Sequence, residues 1–145
     1  MPAIQTNYSE NIRASVPGHI PDMTPADLVS RTVQDAAGLG FGLPVFQGTT
    51  DKSVRAFAAG DTAAKFVGVS VLDRSAGGPN GYLQYESARI LLTGPISVTA
   101  TVAVAAGDPV TVSAAGFSNT GGITVPNARW DTSGAAGAVA NIFIK

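Results

Sequence analysis

Over residues 96–104, ISVTATVAV, apolar and polar side chains alternate: Ile96, Val98, Ala100, Val102 and Val104 fall on one side, Ser97, Thr99, Thr101 and Ala103 on the other. Successive side chains of a strand point to opposite faces, so the alternation predicts a half-buried strand with Val98 and Val102 in the core. ARILLTG (88–94) predicts another, with Ala88, Ile90 and Leu92 together. KFVGVSVL (65–72) is apolar on both faces, as suits a strand covered on both sides. PVTVS (109–113) and AVANIFIK (138–145) complete the set. Between them stand AAGDTAA, RSAGGPNG, AAGD, SAAGFSNTGG and DTSGAAGA, all clusters of turn residues. Many short strands joined by glycine-rich turns predict an all-β domain over 36–145, a β-sandwich or jelly-roll-like fold.

One phrase occurs twice, GLPV at 42–45 and GDPV at 107–110. Glycine takes positive φ without steric cost, so Gly42 and Gly107 can close tight turns. The residue before proline is pushed to extended backbone, which prepares Leu43 and Asp108 for a strand. A proline is tolerated as the first residue of a strand, where its missing N–H costs least. The phrase predicts two strand entries, at Pro44 and Pro109.

Residues 1–35 differ from the rest, with Pro2, Pro17, Pro21 and Pro25 and several charges. They are set apart as an extended N-terminal arm. Thr24 followed by Pro25 allows a short helix with Thr24 as its N-cap. The alternative is an extended segment with Leu28, Ser30 and Thr32 on one side. Residues 1–20 carry only isolated apolar side chains, Ile4, Tyr8, Ile12 and Val16. These are too few to offset an ordering cost of roughly 1–2 kcal/mol per residue, so this stretch is expected to order on contact with a partner.

The charged fraction is 13%, against roughly 25% in an ordinary soluble domain. Such a surface is either dressed in small neutral residues or partly hidden in an assembly. A formal net charge of -1 argues against a nucleic-acid partner. No apolar run has the length of a membrane span, and the first residues lack the pattern of a secretory signal. With no cysteine there is neither a disulfide nor a thiolate metal site.

Catalytic chemistry is poorly represented. His19 is the sole histidine, and it sits in the proline-flanked VPGHIPD, where nothing orients it as a base. GLGFG (38–42) lacks the spacing of a dinucleotide loop and precedes a strand where that motif needs a helix. Ser70 in GVSVL lacks the closing glycine of a nucleophile elbow. The aspartates are scattered among turns, which they favour by bonding their own backbone, so no metal and no cofactor are expected. Tyr82, Tyr85 and Trp130 are candidates for a sugar platform or an interface hot spot, with sheet packing the ordinary alternative. Tyr8, Ile12 and His19 on the arm are further interface candidates.

Five motifs occur in order: SRTVQDAAGLGFGLPVFQG, KFVGVSVLDRS, YLQYESARILLTGPISVTA, VAAGDPVTVSAAGFSNT and VPNARWDTSGAAGAVANIFIK. From about Ser30 to the C-terminus this resembles the structural cement, or head decoration, proteins of tailed bacteriophages. The resemblance implies a non-enzymatic, mostly β, often jelly-roll-like protein of the virion. It would bind the outside of an icosahedral capsid, bridge neighbouring major capsid proteins and associate with itself, as a trimer ahead of a dimer. The other readings are a different virion β-domain, from a tail, fibre or receptor-binding part, and a carbohydrate-binding module using Trp130, Tyr82 and Tyr85.

Overall fold

The computed structural model describes residues 15–145. The strands are β1 (Asp27–Val33), β2 (Leu39–Gly40), β3 (Pro44–Gln47), β4 (Ser53–Arg55), β5 (Phe66–Ser70), β6 (Gly81–Tyr82), β7 (Ser87–Thr99), β8 (Pro109–Ser113), β9 (Gly116–Ser118), β10 (Ile123–Trp130) and β11 (Val139–Ile144). A 3-10 turn, Ala63–Lys65, precedes β5. Both Gly-x-Pro-Val phrases open strands. Gly42 and Gly107 have φ of 68° and 95°, and Pro44 and Pro109 begin β3 and β8. The first entry is locked by Ser70, whose Oγ donates to the Gly40 carbonyl at 2.6 Å and accepts from Leu43 N–H at 3.0 Å.

β1, β4, β3, β5 and β7 pair in that order, and β1 pairs again with β7, so these strands close into a ring. Closure joins a parallel contact, Thr32↔Ser53 and Val33↔Val54, to an antiparallel ladder running from Asp27↔Thr93 to Thr32↔Ser87. The ladder continues from β7 through β11, β10 and β8 to β9. Phe117 of β9 then returns to Ala100, just beyond β7, and its carbonyl accepts both the N–H and the Oγ1 of Thr101, at 2.9 and 2.8 Å. The all-β class agrees with the sequence. Among the described residues the organising feature is this small barrel-like closure within a nine-stranded ladder.

The two strands expected at 88–94 and 96–104 are one strand of 13 residues. Around Gly94 and Pro95, β7 changes partners. Leu91 is opposite Val69 of β5, whereas Ile96 is opposite Ile142 of β11. Gly94 (φ 122°) presses on Ala26, where a Cβ would lie 2.9 Å from the alanine Cβ. β7 is also buried on both faces at Ile90 and Leu91, although Ser87 and Arg89 before them are exposed. Ile90 joins Val33, Leu39, Val45, Val54, Tyr82 and Ala88 in the core enclosed by the ring strands. Its neighbour Leu91 joins Phe46, Val69, Ile96, Val98, Val112, Phe117, Trp130 and Ile142 in the larger core. Consecutive residues of β3, Val45 and Phe46, divide in the same way. A wall with a core on each side explains why KFVGVSVL and ARILL lack simple alternation. It also corrects the face assigned to Leu92, which is half-buried while Leu91 is fully buried.

A second correction concerns Val102, which is 37% exposed although Val98 is fully buried. The strand ends at Thr99 because Thr101 turns to bond Phe117, and alternation in the sequence beyond that point no longer reports a pleat.

No helix starts at Thr24. Its N–H donates to Asp22 Oδ1 at 2.8 Å, in a turn that leads into β1. The ladder therefore begins within the segment 1–35. Residues 17–20 act as a strap. Gly18 N–H donates to the Ser97 carbonyl and Leu72 N–H to the Gly18 carbonyl, both at 2.8 Å, while Ser97 N–H donates to the His19 carbonyl at 2.9 Å. Tyr8 and Ile12 lie outside the described residues.

Candidate interaction surface

Two of the aromatic candidates are interior residues, which corrects their assignment to a surface. Trp130 is fully buried, because β10 ends beneath β9, and its Nε1 donates to the Ser118 carbonyl at 3.1 Å. Tyr82 lies in the ring core, edge-on to Phe41 with ring centroids 5.3 Å apart. Its hydroxyl donates to the Val71 carbonyl at 2.6 Å and accepts from Arg89 N–H at 3.3 Å. Burial pushes its phenol above the usual tyrosine value. Both rings obey the rule that a buried Tyr or Trp finds a partner for its polar atom. His19 keeps its side chain exposed and works through its carbonyl.

Tyr85 is 75% exposed. It sits on the turn between β6 and β7, and the structure fixes that turn from three directions. Tyr85 N–H donates to the Val33 carbonyl at 2.8 Å, and Gln84 Nε2 donates to the Gln34 carbonyl at 3.1 Å. Glu86 accepts from the N–H groups of Leu83 and Gly77. Leu83, on the same turn, is 52% exposed.

Sequence reasoning passed over Leu83, Leu43 and Pro79. Leu43 is exposed beside Gly40, whose added Cβ would lie 3.0 Å from Leu43 Cδ1. Beside Leu83 runs a shallow concavity of roughly 280 Å3, lined by Ala37, Gly40, Gly78, Pro79 and Asn80 among others. It shares Gly78, Pro79 and Asn80 with a larger open groove of roughly 580 Å3, lined also by Val16, Pro17, Phe41, Leu72, Asp73 and Arg74. The available signal was an isolated leucine amid Gly, Pro and Asn, a setting in which no strand face can absorb it.

Several charged groups brace turns. Arg55 grips Asp61 through two bonds, Nη1 to Oδ2 at 2.8 Å and Nη2 to Oδ1 at 2.6 Å. That guanidinium holds the Asp61 carboxyl below its usual value. Asp108 is lowered by Asn119 and then by Ala105 N–H, in the turn that carries Gly107. Among the described residues no group of His, Asp and Glu is gathered in a metal-binding cluster.

The fold is a β-domain that keeps Trp130 and Tyr82 inside and leaves Tyr85, Leu83 and Leu43 exposed. Residues 4–145 match the family described as structural cement protein (E217 gp24/Pam3 gp6). The chain belongs to that family of phage structural proteins, which is not a family of enzymes. No curated protein matches the chain. Among solved structures, a chain from "The capsid of Myoviridae Phage XM1" is similar with a TM-score of 0.73 and 18% identity, over 99% of this chain and 98% of that one. At that identity the likeness establishes a shared fold.

Proposed function

We propose that the protein binds the outer face of an icosahedral phage capsid and stabilises contacts between neighbouring copies of the major capsid protein. The observation that carries this reading is membership of the structural cement family across residues 4–145. Its seat is then the virion exterior, reached after synthesis in the host cytoplasm. The ring supports the reading, since a ladder closed on itself leaves few strand edges to template aggregation on an exposed shell. The mechanism is additive burial: each copy spans a seam, so opening the shell must also strip that copy. Interfaces of standard size bury roughly 1,600 Å2 in total. The protein also associates with itself, as a trimer ahead of a dimer, which hides part of a surface that is only 13% charged by composition. The partners are protein surfaces and include neither nucleic acid nor membrane.

The test is addition of purified protein to capsids that lack it, followed by sedimentation and heating. Co-sedimentation with a raised temperature of capsid disruption is expected. Protein that stays in the supernatant at micromolar concentration overturns the reading.

A further inference from the structure

Tyr85 has a φ of 66°. That is the left-handed region, routine for glycine and tolerated by asparagine, but an outlier for a bulky side chain. Among the described residues the other non-glycine cases are Asn127, a tolerant type, and Lys52, in a solvent-facing turn. Strain of this kind persists only where the surroundings impose it, and it concentrates at functional positions. The surroundings here are the three sets of hydrogen bonds that fix the turn 83–86. They use backbone groups and the side chains of Gln84 and Glu86, so none of them needs a tyrosine at 85. Nor does its ring contribute inside the fold. It is 75% exposed, and among the described residues its hydroxyl has no hydrogen-bond partner. A glycine would relieve the backbone and, among the described residues, lose no side-chain hydrogen bond.

The side chains lining the concavity beside the turn are uncharged. Leu83 stands on the same turn, and Ala37, Pro79 and Asn80 border it. The one carboxylate of the turn, Glu86, is committed to two backbone N–H groups. We infer that Tyr85, with Leu83 beside it, is the anchor by which the protein docks on the capsid, inserting its ring into an uncharged apolar pocket of the major capsid protein that offers a hydrogen-bond acceptor to the phenol. This rests on the capsid-binding function proposed above. Tyrosine is among the residues that dominate interfaces, because it presents a large rigid area with a polar tip at low entropic cost. A turn clamped before binding lowers that cost further.

The experiment compares wild type, Tyr85→Gly, Tyr85→Phe and Leu83→Ser in thermal melting, light scattering and binding to undecorated capsids. Tyr85→Gly is expected to melt at or above the wild-type temperature, since strain is removed, yet to bind capsids at least tenfold more weakly. Tyr85→Phe, which leaves that acceptor unpaired, should bind more weakly than wild type but more tightly than Tyr85→Gly, and Leu83→Ser should lose part of the affinity. Opposite effects on stability and binding distinguish an anchor from a structural residue. Wild-type binding with undiminished binding by Tyr85→Gly overturns the anchor and leaves the proposed function standing. Wild type that fails to bind removes the proposed function itself. A Tyr85→Gly protein that changes oligomeric state while decorating normally places the contact between copies of this chain and overturns the capsid pocket.

Discussion

Gly18 and Gly42 meet backbone to backbone, so closely that neither position has room for a side chain. A Cβ on Gly42 would lie 2.7 Å from Gly18 N, and one on Gly18 would lie 3.0 Å from Gly42 N. Both have positive φ, 87° and 68°. The contact fastens the strap to the turn that opens β3. Gly42→Ala therefore combines backbone strain with a clash that flexible side chains cannot absorb. A loss on the order of 2–4 kcal/mol is expected in urea unfolding. A midpoint equal to wild type would remove the strap from the stability of the fold.

The strap also changes what truncation should do. Removing residues 2–20 strips the partners of Leu72 N–H and of both backbone groups of Ser97. The truncated protein should melt several degrees below the full chain, with each exposed hydrogen bond worth about 1 kcal/mol. Identical melting curves would mean that solvent replaces the strap at no cost.

Arg55 and Asp61 provide a pH-dependent brace. The Asp61 side chain is 2% exposed and that of Arg55 20%. Asp61 has a folded pKa below its unfolded value, chiefly through the bonds from Arg55. Its contribution is thus complete above the unfolded value of about 3.9 and is lost as pH falls through the lower folded value. Asp61→Ala should cost less than the roughly 3–5 kcal/mol of a fully buried pair, because Arg55 regains some solvent. The difference in stability between wild type and variant should be flat from pH 5 to 8 and shrink on acidification below about pH 4. A difference that persists unchanged at the lowest pH would mean that packing, and not charge, is at stake.

Trp130 is the sole tryptophan, so fluorescence reports the core directly. Its burial predicts blue-shifted emission in the folded state and a red shift on unfolding. Trp130→Ala should cost about 3–5 kcal/mol. Emission already at the solvent position in the native protein would contradict its placement beneath β9.

Val98 and Val102 look equivalent in the sequence and are not. Val98→Asp places an unpaired charge in the larger core and should cost about 3 kcal/mol or more. Val102→Asp lies on an exposed bend and should change the melting temperature little. Equal losses would restore a strand continuing to Val104.

Features stated by consecutive residues were legible: the strand entries at Pro44 and Pro109, the apolar runs of β5 and β11, and the glycine turns. The ring was not. Its parallel closure involves Thr32, Val33, Ser53 and Val54, too few residues to leave a period. β2 and β6 are each two residues long. Gly18 and His19 pair with Ser97 and Leu72 without any strand signature, which is why the segment read as free of the core. On the surface, Tyr85 was visible as an aromatic in GYLQYES, but so was Tyr82. Only the fold separates them, by turning one into the ring and holding the other outside in a conformation that its own side chain disfavours.

β7 belongs to both halves of the protein, entering the ring at Ser87 and leaving the far ladder at Thr99. The two halves are consequently wired together by covalent backbone. A pull on one half reaches the other as tension along a single polypeptide, while the shear between them is carried by ladders on either side of Gly94. A part built this way has no glued joint at its middle. If the protein bridges capsid subunits as proposed, outward load should break its outer contacts before the subunit itself, and a released copy should remain folded.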